Sequence, residues 1–324
     1  MNPVVEVKNL NVTFKGEEGS IFAVNDVSFD LAAGETLALL GESGCGKSVT
    51  LKSLMRLHPM HKTQIEGQVL VEGQDVLKMK SKALSEMRGK TVSMVFQEPM
   101  LAFDPVFTVG DQIAESVMRH ERISYKDARQ RALEMLDRVR IPSAAKRLDA
   151  YPHEMSGGMR QRAMIALALA CKPRVLLADE PTTALDATVQ IQVLLLLKEL
   201  QRELGMSMIF VTHDVGVAIE VADRTAVMYA GRIIEQGPVQ AVLSKPWHPY
   251  TQGLLGATVH PGMDRNQALP AIPGAPPQLI RRIDECAFAP RCAQASSRCL
   301  SPLPSVNTLT PRWTRCIHAD VSQA

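Results

Sequence analysis

Three textures of apolar and polar positions run along this chain, and each predicts a different kind of element. Residues 4–31 are rich in β-branched and aromatic residues, as in Val5-Glu6-Val7, Val12-Thr13-Phe14 and the run 23–31, with a polar turn at 15–20 between them. That texture predicts an antiparallel lobe. Four short, continuously apolar runs at 37–40, 92–96, 175–178 and 208–211 read as buried strands. Helical spacing lies between them, so a parallel sheet covered on both faces is expected. The helical stretches are 49–57, 80–90, 109–118, 125–139 and 188–204. In 125–139 the apolar stripe is Ala128, Ala132, Met135, Leu136 and Val139; in 188–204 it is Val189, Ile191, Val193, Leu194, Leu197 and Leu200. Residues 64–75 form a strand-rich segment turning at Gly73 and Asp75, and 226–237 reads as a hairpin around Gly231. Residues 100–160 lose the strand texture and form a helical insert whose arginines read as a solvated face. Beyond Ser244 the chain becomes Pro-rich and loop-like (Pro246, Pro249, Pro261-Gly262, then 270–277), which places a domain boundary near 245–260.

The chemistry is concentrated at the ends of the apolar runs. Gly41-Glu42-Ser43-Gly44-Cys45-Gly46-Lys47-Ser48 follows the first run and precedes a helix. Strand, Gly-rich turn and helix together make a phosphate cradle: glycines let successive N–H groups face an anion, and the helix N-terminus adds its positive end. Lys47 reaches the β- and γ-phosphates, and Ser48 can ligate Mg²⁺. Arg174 to Glu180 is an apolar strand ending in two carboxylates, the edge at which open parallel sheets bind ligands. Asp179 is set to hold Mg²⁺ through water and Glu180 to polarise an attacking water. Met155-Ser156-Gly157-Gly158-Met159 opens an apolar helix with the composition of an N-cap and anion site. His213 ends the fourth run, where a structural and a catalytic role compete. Phe14 is a platform for an adenine ring or a core aromatic, with Phe22 its rival.

Composition narrows the picture. The 324 residues suffice for one large domain with an appendage, or two domains; 46% are hydrophobic and 22% charged, as in soluble globular proteins. A net charge of +2 gives no reason to propose nucleic acid as a partner. The longest apolar run, 163–171, is about half the roughly 18 residues of a bilayer span, and the first residues lack the pattern of a signal peptide. A cytoplasmic chain with reduced thiols is expected. Cys45 and Cys171 stand apart from Cys286, Cys292, Cys299 and Cys316, whose C-x5-C-x6-C-x16-C spacing fits neither zinc fingers nor common ferredoxin runs. From spacing alone, ligation and plain reduced thiols both stay open.

The ordered set resembles the ATP-binding subunits of ABC transporters over residues 4–250: phosphate loop at 41–48, glutamine loop at Gln97, signature at 155–159, acidic strand end at 179–180, the Ala184-Leu185-Asp186 turn and the His213 switch. Within that family it looks like the dipeptide/oligopeptide-importer type, by Phe96-Gln97-Glu98-Pro99-Met100, Glu180-Pro181-Thr182-Thr183, His248-Pro249-Tyr250-Thr251 and Phe288-Ala289-Pro290-Arg291-Cys292. Met155 and Met159 replace the commoner Leu and Gln of the signature and leave its Ser-Gly-Gly core intact. The resemblance implies an α/β fold, a P-loop NTPase cassette at 1–250 with a mostly parallel core sheet, an antiparallel β lobe and the helical insert, and a small cysteine-bearing tail at 251–324. It implies ATP contacts from Phe14, Gly41, Ser43, Gly44, Cys45, Gly46, Lys47, Ser48, Val49 and Gln97. Ser156, Gly157, Gly158, Asp179 and Asp186 complete that set. Mg²⁺ would be held by Ser48, Gln97 and Asp179, and catalysis carried by Glu180, His213 and Gln97.

Two such domains would close head to tail over two ATP molecules, with a paralogue or a second copy as the other ATPase subunit. Two transmembrane permease subunits and, indirectly, a solute-binding protein complete the implied importer, with this chain peripheral on the cytoplasmic face of the cell membrane. The resemblance also implies a [4Fe-4S] cluster on the four tail cysteines, with zinc as the alternative and His318 as a substitute ligand. Nickel and glutathione importers use similar motors, so the solute stays open. A mechanoprotein acting on nucleic acid lacks its second cassette here, and a phosphate-loop kinase leaves Gln97 and 155–159 unexplained.

Overall fold

A computed structural model describes residues 3–17, 19–183, 185–258, 271–302, 307–309 and 311–319. Ala184, Pro261, Gly262 and Pro270, named above, lie outside the described residues. In chain order the strands and helices are β1 (Val5–Gly16), β2 (Gly19–Leu31), β3 (Thr36–Leu40), α1 (Lys47–Leu54), β4 (Thr63–Val71), β5 (Gln74–Asp75), α2 (Ser81–Lys90), β6 (Val92–Val95), α3 (Val109–Glu121), α4 (Tyr125–Arg138), α5 (Ala144–Arg147), α6 (Gly157–Leu169), β7 (Val175–Asp179), α7 (Ala187–Leu204), β8 (Ser207–Thr212), α8 (Val215–Val221), β9 (Arg224–Tyr229), β10 (Arg232–Pro238), α9 (Val239–Ser244), α10 (Pro249–Gly256), β11 (Asn307–Leu309) and β12 (Arg312–Thr314).

The chain divides into two compact units. The first comprises residues 1–4, 32–35 and 78–210. Its strands are ordered β6, β7, β8, with β6 and β7 parallel and paired from Val92↔Val175 to Val95↔Ala178. Every residue of β6, β7 and β8 is buried, as a strand covered on both faces requires. The insert forms α3 and α4, each N-capped by a hydroxyl: Thr108 Oγ1 accepts from Asp111 N–H and Ser124 Oγ from Asp127 N–H. The expected stripe Ala128, Ala132, Met135 and Leu136 is the buried face of α4. In α7 the expected stripe needs a correction. Val193, Leu194, Leu197 and Leu200 are buried, but Ile191 is 58% exposed and Leu196 takes an inward place.

The second unit comprises residues 5–31, 36–77 and 211–324. It holds the antiparallel sheet β2-β1-β4-β5 and the strands β11-β12-β10-β9-β3, in which β3 and β9 are parallel. The polar turn expected at 15–20 is shorter: the ladder runs to Gly16↔Gly19. Asp75 belongs to a strand and the turn is Glu72-Gly73, both at positive φ. The helix expected to reach residue 57 ends at Leu54. Ala230 and Gly231 take left-handed φ of 48° and 80°, the geometry a two-residue hairpin demands, so the expected β9–β10 hairpin forms.

The Pro-rich tail is less loop-like than its composition suggests. β12 pairs antiparallel with β10 through Glu235↔Thr314 and Gln236↔Trp313. Glu235, fully buried, accepts from the Trp247 and His248 N–H groups at 2.9 and 3.0 Å and from Arg312 Nη2 at 2.6 Å. His248 caps α10 by accepting the Tyr250 N–H at Nδ1, and burial holds its pKa down to about 3, so the ring stays neutral. Among the described residues no helix is long and apolar enough to cross a membrane.

Candidate active site

The phosphate loop leaves β3 at Leu40 and enters α1 at Lys47. Its glycines are demanded by close approach. A Cβ on Gly41 (φ 150°) would stand 2.3 Å from the Met228 carbonyl oxygen, and one on Gly46 (φ 105°) 2.6 Å from that of Ala23. Ser43 and Gly44 form the exposed rim, while Cys45 is buried and burial raises its thiol pKa, leaving a packing thiol rather than a nucleophile. Lys47 is 5% exposed, and its ammonium donates to the Gly41 carbonyl at 2.6 Å and the Glu42 carbonyl at 3.0 Å. Ser48 and Val49 follow in the first turn of α1, half-buried. This is a cation on a bed of backbone oxygens at a helix start, a seat for a polyanion. Gly46→Ala is expected to weaken ATP binding by tenfold or more, because the loop backbone must move away from Ala23; nucleotide titration of the purified chain measures it.

In the same unit, Phe14 lies on β1 opposite Ile21 and Thr63, half-buried, with its ring edge-on to His58 at 5.3 Å. Phe22 is engaged by the tail: its N–H donates to the Leu279 carbonyl at 2.7 Å, and the Arg282 guanidinium lies 6.0 Å from its ring centre. His213 is exposed just past β8, and Asp214 beside it N-caps α8 by accepting the Gly216 and Val217 N–H groups at 2.8 and 3.2 Å.

The first unit carries the remaining motifs. Gln97, exposed just past β6, and Asp179–Glu180, at the end of β7, leave parallel neighbours at the same sheet edge. Asp179 is 3% exposed. Glu180 has a left-handed φ of 44°, uncommon for a residue with a side chain, and its Oε2 accepts the Thr183 hydroxyl at 3.0 Å. Ser156 N-caps α6, accepting the Met159 N–H at 3.3 Å. Met155 is 3% exposed, so a Met-for-Leu exchange conserves volume in a packed position. A Cβ on Gly157 would meet nothing within 4 Å, whereas one on Gly158 would press on Val189 at 3.1 Å. Asp186 N-caps α7 through the Val189 N–H at 3.0 Å.

The tail cysteines, scattered in sequence, converge. Cys286, Cys292, Cys299 and Cys316 line one small cavity with His318 and His248. Cys286 N–H donates to the Cys299 carbonyl at 3.1 Å, and Cys299 Sγ lies 3.5 Å from His318 Nε2. Burial raises the Cys286 and Cys316 thiol pKa values, and the neighbouring cysteines push them the same way. Among the described residues no group of three or more His, Cys, Asp or Glu is arranged to hold a single metal ion. Sequence reasoning missed two contacts onto the phosphate loop: Tyr250 Oη accepts the Glu42 N–H at 2.8 Å, and Arg291 pairs with the Glu42 carboxylate at 2.8 Å. Tyr250 and Arg291 stood in motifs read only as family marks.

Residues 24–183 match the ABC transporter family, and residues 234–299 the oligopeptide/dipeptide transporter C-terminal region. A protein of Brucella abortus (strain 2308), provisionally named a peptide import ATP-binding protein, is 49% identical over 315 residues, covering 97% of this chain and 94% of its own. The dipeptide transport ATP-binding protein DppD of Bacillus subtilis (strain 168) is 49% identical over 294 residues, 90% of this chain and 87% of its own. Among solved structures, the dimeric bacterial ABC transporter cassette MJ0796 superposes with a TM-score of 0.66 at 30% identity, over 72% of this chain and 98% of that one. The same cassette is similar in a post-hydrolysis state with ADP and Pi, at a TM-score of 0.65 and 30% identity, over 72% of this chain and 98% of that one. At 49% identity over nearly its whole length to the Brucella abortus and Bacillus subtilis proteins, the chain belongs to the ATP-binding proteins of ABC transporters, in the branch that carries the oligopeptide/dipeptide C-terminal region.

Proposed function

We propose that this chain is the ATP-hydrolysing motor subunit of an importer for di- and oligopeptides. The observation that carries this reading is the union in one chain of a cassette match and the oligopeptide/dipeptide region, in near full-length relatives named for peptide import and dipeptide transport. Residues 1–250 serve as the ATPase domain, with 100–160 as the helical insert, and 251–324 as the tail.

In this reading Lys47 and the N–H groups of 41–49 take the phosphates, and Phe14 rather than the tail-bound Phe22 stacks on adenine. The substrate's Mg²⁺ would be held by Ser48, Gln97 and Asp179 and would offset phosphate charge. Glu180 takes a proton from the attacking water, and His213 contacts the γ-phosphate. Ser156, Gly157 and Gly158 serve the nucleotide of a second ATPase subunit, a copy or a paralogue. The vacant space at Gly157 supports this: a helical glycine costs about 1 kcal/mol relative to alanine, and the packing of this chain does not call for one there. Asp186, which caps α7, would contact ATP as well. The chain works peripherally on the cytoplasmic face of the cell membrane, against two permease subunits that are fed by a solute-binding protein.

In this reading the four tail cysteines would hold a [4Fe-4S] cluster, with zinc as the alternative. Four thiols lining one small cavity support this reading, since such clusters are held by four cysteine thiolates. Bound there, the cluster would tie the segments at 286, 292, 299 and 316 to one another. Protein purified without oxygen is expected to absorb broadly near 400 nm, with the band lost in Cys286→Ser; a colourless, zinc-loaded chain would reject the cluster.

The transport reading is tested by reconstituting the chain with its permease subunits in vesicles. ATP-dependent uptake from a panel of di- and oligopeptides, nickel and glutathione is expected for the peptides. Uptake of nickel alone would overturn the assignment.

A further inference from the structure

The tail grips the phosphate loop at Glu42. Its carboxylate receives a two-pronged pair from Arg291, Nη1 to Oε2 at 2.8 Å and Nη2 to Oε1 at 3.1 Å. Its N–H is held by Tyr250 Oη at 2.8 Å, and its carbonyl supports the Lys47 ammonium at 3.0 Å. Arg291 is itself fixed: Nε donates to the Pro273 carbonyl at 2.8 Å, Nη1 reaches Tyr229 Oη at 3.3 Å, and its side chain is 5% exposed. Tyr229, Tyr250 and Phe288 form a buried triangle with ring centres 4.6 to 5.5 Å apart, and Cys286 and Cys292 pack against that cluster. Phe288 and Arg291 both sit in the five-residue loop that Cys286 and Cys292 bound. A bidentate Arg–carboxylate pair fixes orientation as well as distance, so the loop between two tail thiols dictates the backbone at the second position of the phosphate cradle.

We propose that Arg291 is a positioning residue for ATP: through Glu42 it sets the phosphate-loop backbone from which Lys47 reaches the phosphates, and it couples the Cys286–Cys292 loop to the nucleotide. The proposal rests on the nucleotide reading of the loop and not on which metal, if any, the thiols hold. Coupling is reciprocal. If the tail sets the affinity for ATP, ATP must in turn steady the tail around 286–292.

The test titrates full-length wild type, Arg291→Met, Glu42→Gln and the double variant with ATP and Mg²⁺, and follows hydrogen–deuterium exchange with and without nucleotide. Each single variant is expected to weaken ATP binding about tenfold, and the double variant no more than either, since both remove one contact. Exchange should rise at 41–48 in both singles. ATP should slow exchange at 286–292 in wild type and not in Arg291→Met. Arg291→Lys, which keeps the charge and loses the fork, should fall between. Wild-type affinity in Arg291→Met, or losses that add in the double variant, would overturn the proposal. If Arg291→Met does not fold, Glu42→Gln still reads the contact from the loop side, and wild-type affinity there overturns it equally. A wild-type chain that fails to bind ATP would instead refute the nucleotide reading.

Discussion

Replacing Glu180 by glutamine is expected to cut ATP hydrolysis by about 10²–10⁴-fold, the usual worth of a general base, while ATP binding survives. Glu180 stands one residue beyond the buried strand β7, after Asp179, and its φ of 44° is a conformation held against its own preference. Such strain persists where the surroundings fix it, and here the Thr183 hydroxyl bonds Oε2 at 3.0 Å. Glutamine has the same shape and keeps an oxygen for Thr183, so the turn should be retained; what it lacks is a carboxylate to accept a proton. The variant should therefore bind ATP with near-wild-type affinity and accumulate as an ATP-bound dimer. Phosphate release by the assembled transporter and the ATP-dependent mass of the isolated subunit by light scattering are the two measurements. Hydrolysis within threefold of wild type would remove Glu180 from the base role, and loss of ATP binding would mean that the turn, not the proton transfer, had been disturbed.

Much of the fold was legible because local rules and burial point the same way. The runs of β3, β7 and β8 contain no polar residue that would contradict a two-sided core until their ends, and all three strands are buried throughout. Ser156 was legible as a cap because a hydroxyl before a helix has few other uses, and it caps α6. Periodicity failed in α7 for a physical reason. Apolar residues lie on nearly every face of that helix, so spacing alone cannot say which stripe turns outward; Ile191 and Leu195, one turn apart, are the exposed pair. The contacts that hold the tail could not be read at all. Arg291 and Glu42 are 249 residues apart, and Arg312 and Glu235 are 77 apart. Each is an ordinary surface-type residue until the fold brings it beside its partner. The four cysteines lay between these cases. Their number suggested a common purpose, but loops with no periodicity bring them to one cavity.

Arg312→Met is expected to be the most destabilising single change outside the nucleotide loop. Glu235 is fully buried, and Arg312 has a side chain 6% exposed; the pair meets at 2.6 Å. Arg312 also donates to the Ala241 carbonyl at 2.8 Å and to that of Lys245, and its guanidinium lies 3.8 Å from the centre of the Trp247 ring. One arginine thus joins β10, α9 and the turn into α10. Removing it leaves a carboxylate in the core with two backbone N–H donors and no cation, and breaking a buried pair from one side costs about 3–5 kcal/mol. The stacking contact with Trp247 goes with it. The unfavourable part is the stranded charge rather than the lost attraction, so adding Glu235→Gln to Arg312→Met should recover part of the loss: the amide oxygen still accepts from Trp247 or His248 and carries no charge to desolvate. Thermal and denaturant unfolding of the single and double variants decides the matter, with limited proteolysis reporting release of the tail. The expected order of stability is wild type, double variant, then Arg312→Met. An Arg312→Met protein that melts with wild type would show that this buried pair contributes nothing to holding the tail, and a double variant weaker than Arg312→Met would show that the attraction, not the stranded charge, had been the larger effect.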